Sequence, residues 1–318
     1  MLKDILHIST RRTAIVQITS VDGFDLCVLH NLKQLYKGMG FVTLVGTRPI
    51  ISDLNVFPRG VRASEVCFVN KSKCAHVYNY TGIDMSGLDV TNPRCSFFCP
   101  SVKMFERVPR VENLVHAFPP VDIASWCDGQ AGEKVKYEVV HVGTFKSAGA
   151  THGHRDGMQM EMEKMIRNHA SDIWGEGWPS CVKGVRHGRL PIAIVPRIYS
   201  SSRCAIGVMY PTQRDVTFSS RFWLAPINGC TLISEPGLFA KEVPGVVVST
   251  AFKSSLAARC DATQARDYWR KWGEESRTLI RDQTHRSGET SMRLSTRILS
   301  GVSDYITRTR IARTQKHR

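Results

Sequence analysis

Cys204–Val248 reads CAIGVMYPTQRDVTFSSRFWLAPINGCTLISEPGLFAKEVPGVVV, and its order of residue types decides the fold. Cys204–Tyr210 is a short apolar run that reads as a strand, and a polar loop follows to Thr217. Ser219 and Ser220 are N-cap candidates for a helix with Arg221 in its first turn, and Gly229 stops that helix. Thr231–Ser234 and Val246–Val248 are β-branched strands. Strand, helix and strand in this order make a parallel β-α-β unit. Such units bind ligands at the carboxyl ends of their strands, where helix N-termini point at anions. An arginine there suits a phosphate, and equally suits an ordinary ion pair with a nearby carboxylate.

Working outward, the same alternation recurs. Thr13–Thr19 is a β-branched strand, a turn at Ser20–Gly23 follows, and Phe24–Lys37 places Leu26, Leu29, Leu32, Leu35 and Tyr36 at helical spacing. Gly38 and Gly40 end the helix before a second strand, Phe41–Val45. Further strands are expected at Val66–Val69, His76–Tyr80, Cys95–Cys99 and Leu114–Phe118. Pro119-Pro120 and the polar run Asp128–Lys136 break the pattern and read as a linker. A second unit opens like the first: strand Tyr137–Val142, Gly143-Thr144, a glycine-containing loop to Gly157, then helix Met158–His169 with Met162, Met165 and Ile166 inward. Asp172–Gly175 reads as the next strand end, and Pro191–Arg203 as a helix. After Thr250 the chain turns helical, with Tyr268, Trp269, Trp272 and Leu279 on Ala262–Arg281 and a basic amphipathic helix from Met292 to Arg313. The fold class is therefore α/β. Two tandem Rossmann-like domains are expected at residues 1–127 and 137–285, joined by a linker at 128–136 and followed by a basic helical segment at 286–318.

Composition bounds what such a protein can do. With 318 residues, 42% of them hydrophobic, the chain can bury two cores. No apolar run reaches membrane-span length, and Lys3, Asp4, Arg11 and Arg12 break any signal-peptide pattern, so a cytoplasmic protein is expected. Ten cysteines are scattered singly, without zinc-type spacing, and read as reduced thiols. His152 and His154 lack a second cluster to complete a metal site, and no DxD motif occurs. Forty-three Lys and Arg against 28 Asp and Glu give a net charge of +15, which attracts nucleic acid, anionic lipid or phosphorylated small molecules. Residues 251–318 carry 15 of the basic residues and 7 of the acidic ones.

The second half also carries motifs. VVHVGTF (Val139–Phe145) followed by His154-Arg155, DIWGEGWP (Asp172–Pro179), YSSSRCAIGVMYP (Tyr199–Pro211) and SSRFWLAPINGCTLISE (Ser219–Glu235) together resemble the GT-B glycosyltransferases. Within these they are similar to the spore-maturation-protein-like branch of group 1 transferases. The first half agrees more weakly, through Gly38–Val45 and Glu112–Asp122.

The resemblance implies transfer of a sugar from a nucleotide-sugar bound by the second domain to an acceptor bound by the first. The nucleotide-sugar is a co-substrate, and no other cofactor and no metal is implied. Gly143 and Thr144 would bring backbone N–H groups to the donor pyrophosphate. Arg221 would neutralise charge building on the leaving diphosphate, with Arg155 as a second candidate. Trp174, Gly175, Tyr210, Ser220 and Glu235 complete the implied donor side. An inverting reaction would take its general base from the first domain, where Asp22 is placed for the role and Asp84 is the alternative. Either aspartate equally fits an Asx turn. The charge favours an anionic acceptor, and both DNA with hydroxylated bases and a cell-surface glycan are compatible. One departure stands out: aligning Arg221 and Gly229 with the signature puts Leu224 where the family has a glutamate. That substitution keeps open a catalytically inactive module that binds nucleic acid or glycan.

Overall fold

The computed structural model describes residues 15–19, 26–48, 52–58, 65–71, 74–78, 92–99, 113–117, 120–128, 134–145, 157–208, 219–236, 243–248 and 259–286. The first half contains β1 (Ile15–Thr19), α1 (Leu26–Gly38), β2 (Val42–Gly46), β3 (Leu54–Phe57), α2 (Val66–Lys71), β4 (Ala75–Tyr78), β5 (Cys95–Cys99) and β6 (Leu114–His116). Its sheet runs β2-β1-β3-β4-β5-β6, and every pairing is parallel. A parallel sheet needs both faces covered, and its central strands accordingly read as continuous apolar runs. All residues of β3, β4 and β5 are buried. Side chains alternate between two clusters: Leu54, Val56, Tyr78 and Phe98 pack under α1, while Phe57, Ala75, Val77 and Phe97 pack on the other face with Val69 of α2.

After α3 (Ile123–Trp126), the second half contains β7 (Tyr137–Val142), α4 (Gly157–His169), β8 (Asp172–Trp174), β9 (Val185–Arg186), a 3₁₀ turn (Ile192–Ile194) and α5 (Val195–Ser200). It continues through β10 (Ser202–Ile206), α6 (Arg221–Ile227), β11 (Thr231–Ser234) and β12 (Val246–Val248). The sheet order is β12-β11-β10-β7-β8-β9, again parallel throughout. This is the doubly wound arrangement: the chain leaves β7 toward one edge, returns to β10, and runs to the other edge. Period-two alternation sends Val139, Ile173, Cys204, Ile206 and Ile233 to the α4 face, where Met162 and Ile166 cover them. Val140, Trp174, Ala205 and Leu232 go to the opposite face, under α5 and α6.

A long helix, α7, spans residues 262–286 and crosses between the halves. Trp269 packs in the core of the second half, and Ile280 packs in the core of the first. Trp126 makes a second joint: its indole N–H donates to Asn31 Oδ1 of α1 at 3.0 Å, and its ring meets Trp223 edge-on.

Three expectations change. Val66–Val69 is helical, not extended; in this short run Glu65 and Val69, one turn apart, are buried while Cys67 and Phe68 are exposed, a helical burial period. The single helix expected over Pro191–Arg203 is a 3₁₀ turn and a six-residue helix, because Pro196 sits at the helix start and β10 begins at Ser202. Strands β3 and β9 were not anticipated. The basic helix expected at 292–313 and the His152–His154 loop lie outside the described residues. Nine of the cysteines, Cys95 and Cys99 among them, are free thiols.

Candidate functional site

The switch point of the second sheet lies between β7 and β10, and what sits at their carboxyl ends defines the site. There a small pocket of about 80 Å³ is lined by His141, Thr144, Phe145, Gln159, Glu163, Trp178, Val208 and Arg221. Strands β7 and β10, the start of α4, the turn after β8 and the start of α6 all contribute.

Arg221 dominates the electrostatics. Its Nε donates to the Val142 carbonyl at 2.9 Å, and Nη1 donates to the Val208 carbonyl at 3.4 Å. The guanidinium is thus pinned across two strand ends by groups that carry no net charge. No carboxylate among the described residues pairs with it, so its full positive charge is held at the strand ends. Ser219 Oγ accepts from the Arg221 N–H at 3.4 Å, while Ser220 is the N-cap by position and its hydroxyl makes no capping bond.

Gly143 is small because of this arginine. A Cβ there would stand 2.4 Å from Arg221 Nη2 and 2.9 Å from His141 Nε2. Gly175 has φ +137, and a Cβ on it would fall 2.1 Å from the Gly143 carbonyl oxygen. The two segments therefore lie in direct backbone contact. The Gly143 N–H donates to the Trp174 carbonyl at 2.8 Å, and the Phe145 N–H donates to the Glu176 carbonyl at 2.8 Å. Trp178 Nε1–H donates to the Gly143 carbonyl at 2.8 Å. The N–H of Gly143 is taken up in this way, whereas that of Thr144, between the two, has no partner among the described residues.

His141 is buried, and its Nδ1 lies 2.7 Å from the Ile206 carbonyl, which can only accept. Nδ1 therefore carries the proton, and Nε2 presents its lone pair toward Gly143. Burial, reinforced by the Arg221 charge, pushes the imidazole pKa down to about 3, so the ring stays neutral. Gln159 and Glu163, one turn apart on α4, are also buried, and the amide of Gln159 donates to Glu163 Oε1 at 3.2 Å. The site thus holds a fixed cation, a neutral imidazole acceptor and a carboxylate.

Of the residues expected from sequence, Thr144 and Arg221 line the pocket, Gly143 and Gly175 pack against them, and Ser220 precedes Arg221 without lining it. Trp174 contributes its carbonyl; its ring is buried against Tyr137 and stacks on His187 at 4.5 Å, on the α6 side of the sheet. Glu235 is buried just past the end of β11 and does not line the pocket. Asp22, Asp84, Arg155 and Tyr210 lie outside the described residues. His141, Gln159, Glu163 and Trp178 were missed. Leu224, where a glutamate was expected, is buried in the core with Trp223, so α6 brings no carboxylate to the pocket. Among the described residues, no group of three or more His, Cys, Asp or Glu could hold a metal ion.

No protein-family model matches the sequence, and no curated protein matches it. Solved structures do match. The chain superposes on AviGT4, a glycosyltransferase involved in avilamycin A biosynthesis, with a TM-score of 0.55 and 13% identity, over 86% of this chain and 97% of that one. It superposes on a DNA-modifying β-glucosyltransferase, studied with and without its substrate uridine diphosphoglucose, with a TM-score of 0.52 and 12% identity, over 85% and 99%. The chain has the GT-B fold.

Proposed function

We propose that the protein is a glycosyltransferase that moves a sugar from a nucleotide-sugar to a hydroxyl of an anionic acceptor. The observation that carries this is Arg221. A guanidinium fixed by two strand-end carbonyls, at the switch point of a doubly wound sheet and with no carboxylate partner among the described residues, is a preorganised diphosphate site. The free Thr144 N–H adds a donor beside it. In the reaction, the acceptor oxygen attacks C1 of the sugar, the bond from C1 to the diphosphate oxygen breaks, and the diphosphate leaves with the electron pair. Arg221 stabilises the charge gained there without a metal being needed. His141 Nε2 and Glu163 accept hydrogen bonds from donor hydroxyls, the task the family gives to the glutamate that Leu224 replaces. The acceptor proton goes to a carboxylate of the first half, Asp22 or Asp84.

For the acceptor we favour DNA with hydroxylated bases over a cell-surface glycan, on the net charge of +15 and the fold shared with a DNA-modifying transferase. Among the described residues, no helix is long and apolar enough to cross a membrane. The buried Leu224 favours a second reading, a binding module that keeps the phosphate site without turnover.

Release of nucleoside diphosphate from a panel of nucleotide-sugars separates the two. Turnover that falls at least about a hundredfold in Arg221→Ala, with unchanged circular dichroism, supports the transferase. Nucleotide binding without any release, with or without duplex DNA containing hydroxylated bases, supports the module. Wild-type turnover in Arg221→Ala would remove the arginine from the site.

A further inference from the structure

A second and larger pocket, about 370 Å³, lies between α1, the segment entering α3, and α7. Its wall carries Arg270, Arg277 and Arg281 from α7, Asn31 and Gln34 from α1, and Asp122. The arginines fall at i, i+7 and i+11, which puts them on one helical face. Three guanidinium groups stand against two carboxylates, Asp122 in the wall and Asp267 paired with Arg270, so the pocket is net positive.

The charges are available. Arg277 Nη1 donates to the Val121 carbonyl at 2.8 Å, which orients the group without neutralising it. Arg281 has no ion pair or hydrogen bond among the described residues. Arg270 pairs with Asp267 in an exposed contact that water screens. Asp122 accepts from Ser125 Oγ at 2.5 Å.

Asn31 supplies an independent pointer. It is 3% exposed, and its Oδ1 accepts from the Trp126 indole N–H, which fixes the amide orientation because that N–H can only donate. Its Nδ2 is buried with no partner among the described residues. An unpaired buried N–H₂ group is costly, and Asn31 is part of this pocket's wall, so an acceptor bound here is the partner it lacks. Buried amide donor and convergent guanidiniums both ask for an oxygen-rich anion.

We infer that this pocket is a binding site for a phosphomonoester of a small molecule, separate from the cleft at Arg221. Arg277 and Arg281, which have no carboxylate partner among the described residues, match a dianionic phosphate, which accepts several charge-assisted bonds at once, and Arg270 adds to them from its water-screened pair. The volume is in the range that holds a monosaccharide phosphate. Because the walls come from α1 of the first half and α7, an occupant ties the two together.

The test uses Arg221→Gln protein, so that phosphate binding at the cleft does not contribute, and the outcome does not depend on the transferase reading. Glucose 6-phosphate, inorganic phosphate and glucose are titrated calorimetrically. Expected are one site for glucose 6-phosphate, weaker binding of inorganic phosphate at the same site, and none of glucose. Arg281→Gln, an exposed position, should weaken binding at least about tenfold. Asn31→Asp keeps the acceptor for Trp126 and turns the free amide into a repelling oxygen, and should do the same. Should Asn31→Asp not fold, the Arg270→Gln/Arg281→Gln pair replaces it. No phosphate binding in the Arg221→Gln protein, or binding that these substitutions leave unchanged, overturns the assignment.

Discussion

Gly143 and Gly175 meet across a gap that a methyl group would close, but the two positions answer to different constraints. At Gly143 the obstacles are two side chains, the tip of Arg221, which moves only by giving up its strand-end carbonyls, and the buried ring of His141. Gly143→Ala should therefore fold with a loss of about 1–2 kcal/mol, and bind nucleotide-sugar at least about tenfold more weakly because the guanidinium is displaced. At Gly175 the obstacle is a backbone carbonyl, and φ is +137. Gly175→Ala should lose about 3 kcal/mol or more, read from urea unfolding. Equal stability losses in the two variants would contradict this division. The glycine turn and the arginine at a helix start were legible because both residue types have few other reasons to stand there. His141 was not, since VVHV reads as plain strand, and its role depends on a proton fixed by Ile206 across the sheet. Gln159 and Glu163 did leave a signal, a polar pair four residues apart on the same face as Met162 and Ile166. Trp174 and Trp178 could not be told apart in DIWGEGWP. The turn at Gly175 sends one ring to the α6 face and the other to the α4 face.

At the level of elements, strands and helices with strong period or β-branching were readable, and short ones were not. The run at Val66 is apolar over too few residues to show a period, and β9 is two exposed residues whose pairing with β8 is purely tertiary. The proline inside the expected helix at 191–203 marked a start rather than a continuation. Helix α7 was visible as a helix, but its crossing from one half to the other follows from where its apolar residues find cores. Trp269 is 1% exposed in one half and Ile280 is fully buried in the other. Trp269→Ala should cost about 3–5 kcal/mol and Ile280→Ala about 2–5. Because one rigid helix carries both, each should lower a single unfolding transition. Two separated transitions in either variant, seen by calorimetry, would show that α7 does not couple the halves.

Over the whole molecule, charge and buried ionisable groups set how the protein responds to its solvent. The net charge of +15 makes duplex DNA binding, if DNA is the acceptor, steeply dependent on salt, with a log–log slope near −0.9 per phosphate neutralised. A flat salt dependence would remove DNA as acceptor. Acid should act through two histidines, one in each half. His76 is fully buried, with Nδ1 2.6 Å from the Tyr36 hydroxyl, which also lies 2.6 Å from the Tyr78 hydroxyl. Burial pushes the His76 pKa to about 3, as it does that of His141, from 6.5. Between those values the unfolded chain binds a proton at each site and the folded chain does not. Stability is therefore full above about pH 6.5 and falls as pH drops toward 3, by up to roughly 1.4 kcal/mol per unit for each histidine. From pH 7.5 to 5.5 the pair should remove roughly 2–3 kcal/mol of unfolding free energy. In His141→Asn the shorter amide can still donate to the Ile206 carbonyl but does not titrate, so about half of that loss should disappear. Urea unfolding at the two pH values gives the comparison. An unchanged difference in the variant would mean that His141 protonates without unfolding the protein, and that the second half, which holds the nucleotide pocket, tolerates a charged imidazole beside Arg221.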